Sequence, residues 1–222
     1  MKKLVVIGLL MVVFSHNAFP SEQGFVNGAG TLKGGTWAVS LDLGGAYPEP
    51  LLWGARIDRG FGNRVQLGIA GSSLILLNTF AINGLFNILK TKEDSDFLSV
   101  YLTPSFLHLP AFGFEEEEKV NNIFVFLIQP GLAYEHRFGE KRNTGFFAKA
   151  GTFHVIGATA DGGFWLAPMT TETTVITFGG GLQHNFGGSL SATAEAGGGV
   201  LLGNVHRSVN LMMLKFGLTW AF

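Results

Sequence analysis

The C-terminal run from Leu214 to Phe222 constrains the fold of this chain more than any other stretch. Leu214, Phe216, Leu218, Trp220 and Phe222 are large and apolar, while Lys215, Gly217, Thr219 and Ala221 between them are polar or small. A period of two puts the first set on one face of an extended strand and the second on the other. A helix would scatter both sets around its circumference. Large apolar residues on one side and small or charged ones on the other suit a barrel wall with hydrocarbon outside and a crowded lumen inside.

The same alternation recurs upstream. Trp37, Val39, Leu41 and Leu43 oppose Ala38, Ser40, Asp42 and Gly44. Trp53, Ala55 and Ile57 oppose Gly54, Arg56 and Asp58, and Val65, Leu67 and Ile69 oppose Arg64, Gln66 and Gly68. Leu190, Ala192, Ala194 and Ala196 oppose Ser191, Thr193, Glu195 and Gly197. Phe61-Gly62-Asn63 and Phe186-Gly187-Gly188 read as tight hairpin turns between such runs.

Ten strands are predicted, at roughly 35–46, 51–61, 64–76, 78–90, 97–108, 123–138, 145–156, 174–186, 189–200 and 209–222. Short connections at 61–63, 91–96, 139–144 and 187–188 alternate with longer ones, of which 109–122 and 157–173 are the longest. Short turns at one end and long loops at the other are the habit of such barrels. The expected fold is an all-β, closed, antiparallel, up-and-down transmembrane β-barrel of ten strands. Eight is the alternative if the connection near Asn78 is a bulge and a second hairpin is misread.

Composition agrees. Charged residues make up 14% of the chain, against about 25% in a typical soluble domain. The net charge of −1 offers no basic patch for nucleic acid. With no cysteine, disulfides, thiolate metal sites and a lipidated N-terminal cysteine are excluded.

The closing run Lys215-Phe-Gly-Leu-Thr-Trp-Ala-Phe222 resembles the last strand of the bacterial outer-membrane β-barrel superfamily, in the style of small OmpW- and OmpX-like barrels and without a match to one subfamily. The resemblance implies a Gram-negative outer-membrane location. It implies the barrel assembly machinery as a partner, reading the strand that ends in Phe222. Outer-membrane lipid and lipopolysaccharide would surround a monomer.

Residues 1–21 are expected to be a signal peptide, leaving 22–222 as the barrel domain. Lys2 and Lys3 give a positive start, Leu4 to Phe14 form an apolar run, and His16 to Gln23 a polar exit with cleavage within Ala18 to Ser21. The apolar run is shorter than the ~20 residues that a membrane-spanning helix needs.

If the large apolar face meets lipid, Asp42, Arg56, Asp58, Arg64, Gln66, Glu135, Arg137, Lys149, Gln183, Glu195 and Lys215 point inward. Their signs nearly balance, which predicts a salt-bridged interior instead of the single-sign ring of an ion-selective pore. Tyr134, His136, Phe138, His184, Phe186, Trp220 and Phe222 fall on the outward parity near strand ends, the pattern of an aromatic girdle.

Chemistry is harder to find. His154, with Asp161 and Glu172 in the following segment, is the best candidate for a catalytic group at the outer rim. Barrel proteases use Asp pairs and an Asp–His pair, and lipid A deacylases use His-x-Ser with a Glu. Here Val155 and Ile156 follow His154, so that spacing is missing. No catalytic, metal or cofactor site is expected. Glu115 to Glu118 read as a solvated loop that could also meet divalent cations on lipopolysaccharide. Phe164, Trp165, Leu166 and Met169 could cover the mouth, dip into lipid or touch a partner. The function expected is a non-enzymatic barrel, structural or a narrow channel for small solutes, hydrophobic ones among them. A rim-sited lipid-modifying enzyme or protease and a loop-mediated adhesin are the alternatives.

Overall fold

A computed structural model of the chain describes residues 29–46, 52–74, 77–91, 94–109, 122–139, 142–160, 163–166, 174–187, 189–201 and 211–222. Eleven strands occur among them: β1 (Trp37–Ala46), β2 (Leu52–Phe61), β3 (Val65–Leu74), β4 (Leu77–Lys90), β5 (Asp96–Leu109), β6 (Ile123–Phe138), β7 (Thr144–Ala160), β8 (Gly163–Leu166), β9 (Thr174–Gly187), β10 (Leu190–Leu201) and β11 (Leu211–Ala221). Among the described residues no helix is long and apolar enough to cross a membrane.

Ten of the strands form the wall. Each pairs antiparallel with its neighbours in sequence, except that β7 passes over β8 to pair with β9. β1 closes the ring on β11, from Ala38↔Ala221 to Ala46↔Met213. Trp37 and Phe222 complete the seam by exchanging backbone hydrogen bonds of 2.9 and 2.8 Å. The ten-strand expectation therefore holds, and eight is excluded. Near Asn78 the two strands are separate and paired, with Leu74 opposite Leu77 and Asn78 already inside β4.

β8 has no counterpart among the strands expected from sequence. The segment 157–173 reads as one loop, but β7 continues to Ala160 and its end pairs with β8 from Gly157↔Leu166 to Ala160↔Gly163. Small residues such as Gly157 and Ala158 carry too weak an alternation to announce a strand.

The period of two sorts the side chains as the sequence implies. Phe216 is 61% exposed and Trp53 58%, on the outside of the wall, while Arg56 at 1% and Glu135 at 0% are buried inside it. Polarity is inverted relative to a water-soluble protein.

Two prolines interrupt the ladder. The β4–β5 register passes from Ala81↔Ser105 to Gly84↔Leu102 around Pro104, and β6–β7 from Ile128↔His154 to Gly131↔Gly151 around Pro130. Proline has no N–H for the ladder. At the second gap the ring of Tyr101 packs from inside on Gly131 and Gly151, where a Cβ would also press on the carbonyls of Ala150 and Pro130 at 2.6 Å. Gly151→Val should therefore destabilise the barrel by about 1–3 kcal/mol. Urea titration of the folded, heat-modifiable band on gels is the measurement, and a change below about 0.5 kcal/mol would contradict this packing.

Candidate functional site

The wall's inward parity gathers charge from six strands. Asp42 comes from β1, Arg56 and Asp58 from β2, Glu135 and Arg137 from β6, Lys149 from β7, Glu195 from β10 and Lys215 from β11. All are buried except Arg137, which is half-buried. Their ion pairs are Arg56 Nε to Asp58 Oδ2 at 2.5 Å, Lys215 Nζ to Asp42 Oδ1 at 3.2 Å, Lys149 Nζ to Glu195 Oε1 at 3.3 Å and Arg137 Nε to Glu135 Oε1 at 2.5 Å. An isolated charge in such a place costs several kcal/mol, so pairing is what lets the lumen be both narrow and charged.

Arg64 departs from the expectation. It lies in the turn between β2 and β3 and is exposed, because the chain reverses at 62–64, beyond the end of the wall. Parity assigns a face only to residues inside the ladder. Without it the inward charges balance: Asp42, Asp58, Glu135 and Glu195 face Arg56, Arg137, Lys149 and Lys215.

Neutral polar groups share the interior. Gln129 Nε2 donates to Thr177 Oγ1 at 3.2 Å, Thr103 Oγ1 to Asn83 Oδ1 at 3.2 Å, and Ser40 and Thr219 hydroxyls meet at 2.8 Å. Gln183 Nε2 donates to Glu135 Oε1 at 2.7 Å. Glu135 thus has Arg137 and Gln183 on one oxygen.

The other oxygen holds a feature that alternation does not reveal. Residues 29–33, ahead of β1, run inside the short-turn end of the barrel. Gly30 N donates to Glu135 Oε2 at 2.7 Å and Leu32 N to Gln66 Oε1 at 2.9 Å. The carbonyl of Ala29 accepts from Ser99 Oγ at 2.5 Å and Asn87 Nδ2 at 3.2 Å. Ala29 is wholly buried among Leu85, Phe97, Tyr101 and Ala133. A hint is present in sequence: Gln66, Asn87, Ser99 and Glu135 share the inward parity of four consecutive wall strands. Nothing in that pattern says that their partner is the chain's own backbone.

The outward aromatic set lies at the same end. Tyr134, Phe138, Phe186, Trp220 and Phe222 are exposed. His136 is exposed and stacks on Phe138, and His184 is half-buried with its ring edge-on to Phe186. Asp96 Oδ1 lies 2.7 Å from Tyr134 Oη and 2.8 Å from His136 Nδ1. Arg59, outward and outside the set that alternation singles out, lies over the rings of Trp37 and Phe61 at 5.0 and 5.3 Å. Amphipathic groups of this kind keep an apolar body against hydrocarbon and a polar tip in water.

The histidine at the centre of the catalytic alternative is held by hydroxyl groups. Both ring nitrogens of His154 meet threonine hydroxyls, Thr174 Oγ1 at 2.9 Å and Thr152 Oγ1 at 3.0 Å. Its proposed partners Asp161 and Glu172 lie outside the described residues, as do the 1–21 segment, Glu115 to Glu118 and Met169. Among the described residues no group of three or more His, Asp or Glu is arranged to hold a metal ion.

Breaking one ion pair should be costly in a way that removing both partners is not. Lys215→Met is expected to destabilise the barrel by about 3–5 kcal/mol, and Asp42→Leu added to it should recover most of that loss. Urea unfolding of Lys215→Met, Asp42→Leu and the double variant in lipid vesicles checks this. Additive losses would mean that Lys215 and Asp42 do not act as a pair.

No family model matches the chain. No curated protein matches it. Among solved structures, the N-terminal β-barrel domain of Pseudomonas aeruginosa OprF is similar at 11% identity and TM-score 0.43, covering 86% of this chain and 100% of that one. The KdgM porin is similar at 8% identity and TM-score 0.46, covering 83% and 99%. An outer-membrane channel from Pseudomonas putida F1 is similar at 9% identity and TM-score 0.47, covering 87% and 98%. Likeness at this level decides nothing about solute or activity. The chain's own strand pairing and inverted polarity carry the conclusion that it is a ten-stranded transmembrane β-barrel.

Proposed function

We propose that this chain is a non-enzymatic integral protein of a bacterial outer membrane, and that its lumen is a narrow path for small solutes. The inverted polarity of the wall carries the reading. Exposed Leu, Ile, Phe and Trp side chains ring the outside, and paired charges fill the inside. In water the outer surface would aggregate, and strands in hydrocarbon satisfy every backbone group only in a closed ladder.

The short-turn end is the periplasmic end under this reading, since short turns lie there in such barrels. The outward rings from Tyr134 to Phe222 then form the inner girdle, level with lipid headgroups. Lipid and lipopolysaccharide are the surroundings, the assembly machinery reads the strand ending in Phe222, and the protein acts as a monomer. A balanced interior favours a path with weak ion preference, for small and uncharged or zwitterionic solutes. Residues 1–21 serve as the export signal.

The test is reconstitution. Purified 22–222 should fold only when vesicles or detergent are supplied, resist carbonate extraction, and carry small currents or solute flux in planar bilayers and swelling vesicles. A folded monomer in plain buffer would overturn the membrane reading. Absence of flux under every opening condition would overturn the path. Phe216, at the middle of β11, faces outward, so Phe216→Arg should cost about 2–4 kcal/mol in urea titrations in lipid. A cost near zero would place that residue outside the hydrocarbon.

A further inference from the structure

We infer that the periplasmic end of the lumen is a binding site for an extended peptide main chain, and that residues 29–33 occupy it as a displaceable stopper. The inference rests on the path reading above and supplies its regulation.

The site reads backbone, not side chains. Gln66, Asn87, Ser99 and Glu135 contribute one group each from β3, β4, β5 and β6, and together they meet two N–H groups and one carbonyl of residues 29–32. Extended chain is the conformation that presents such groups in alternation. Selectivity comes from size. A Cβ at position 30 would meet the Arg137 guanidinium and Glu135, so a larger residue there has to push those side chains aside. Position 29 fits a methyl in its apolar cage.

The attachment is made outside the ladder, by the wall side chains above, by Thr31 Oγ1 donating to the Asn63 carbonyl at 3.1 Å and by Leu32 buried on Ala38. Residues 29–33 belong to no strand of the ladder, whereas the β1–β11 seam beside them pairs from Ala38↔Ala221 to Ala46↔Met213. The segment is joined to β1 through Gly34 and Gly35. Gly35 has φ of 86°, a value that side chains rarely adopt. Gly35 is itself tied to the wall, its N–H donating to Gly60 O, and Gly60 N donates to Thr36 O, both at 3.0 Å. A segment outside the ladder therefore precedes a fixed anchor at Gly35, and its release breaks side-chain contacts without opening a strand pair. A cavity of about 550 Å³ opens at this end, and Thr31, Leu32 and Lys33 are part of its lining. The vestibule runs up to the segment.

The chain has no cysteine, so Ala29→Cys places a single thiol that reports the stopper alone. The protein used is full 22–222, reconstituted in nanodiscs, with an impermeant maleimide as probe. The thiol introduced by Ala29→Cys should react at least tenfold more slowly than in urea. Gly30→Val crowds Arg137 and Glu135 and should displace the segment, and Glu135→Gln weakens the latch. Each, added to Ala29→Cys, should raise the rate at least tenfold while leaving heat-modifiability intact. In planar bilayers Gly30→Val in the cysteine-free chain should raise the mean current at least fivefold over the parent. A synthetic peptide of residues 27–36 should reverse that increase, and the same peptide carrying Gly30→Val should not.

Equal labelling of Ala29→Cys with and without Gly30→Val would overturn the stopper. A large parent current while the introduced thiol stays protected would also overturn it, yet leave the path standing. Faster labelling with no current would overturn the path and its regulation, with the peptide site then judged by binding of fluorescent 27–36. Failure of that peptide to bind Gly30→Val protein would overturn the site.

Discussion

Closure of the backbone ladder is the constraint on which the rest of this structure depends. A strand in hydrocarbon has no water to satisfy its N–H and C=O groups, so its edges must find each other. Here the first strand meets the last, and Trp37 and Phe222 finish the seam with two backbone hydrogen bonds. Once the ring is closed, every residue in it has only two directions to point. The outer direction collects the large apolar side chains, and the inner one must house everything else.

That second consequence governs the lumen. Charges that could sit in water on an ordinary domain are enclosed by a ten-strand wall, where an unpaired ion would be costly. The solution is pairing across neighbouring or nearby strands, as between Lys215 of β11 and Asp42 of β1, and between Lys149 of β7 and Glu195 of β10. Glycines opposite these groups make room. A Cβ at Gly217 or Gly68 would run into Asp42 or Asp58. The interior is thus a set of matched pieces, and the N-terminal segment fits among them through Glu135, which also holds Arg137 and Gln183.

Much of this is legible in the residues alone. Strand count, the inward placement of Asp42, Arg56, Asp58, Glu135, Lys149, Glu195 and Lys215, and the outward placement of Tyr134 and Trp220 follow from alternation. The departures have local causes. Arg64 sits where parity stops applying, in the turn at 62–64. The end of β7 is hidden because Gly157, Ala158 and Ala160 offer no contrast between faces, and β8 because Phe164, Trp165 and Leu166 are one short apolar run without alternation. Alternation sets the Asn78 hairpin too late because Leu74, Ile75, Leu76 and Leu77 form one apolar run, and such a run hides a reversal.

The sequence by itself determined the fold class and which face each wall residue takes, because a strand's two-residue period is a local property that needs no partner. Only the tertiary structure decided which inward charges pair, since Asp42 and Lys215 lie far apart in the chain and meet only when β1 closes on β11. It also decided that residues 29–33 fill the end of the lumen. That placement depends on four side chains from four strands converging on one stretch of backbone, and backbone carries no letter in the sequence.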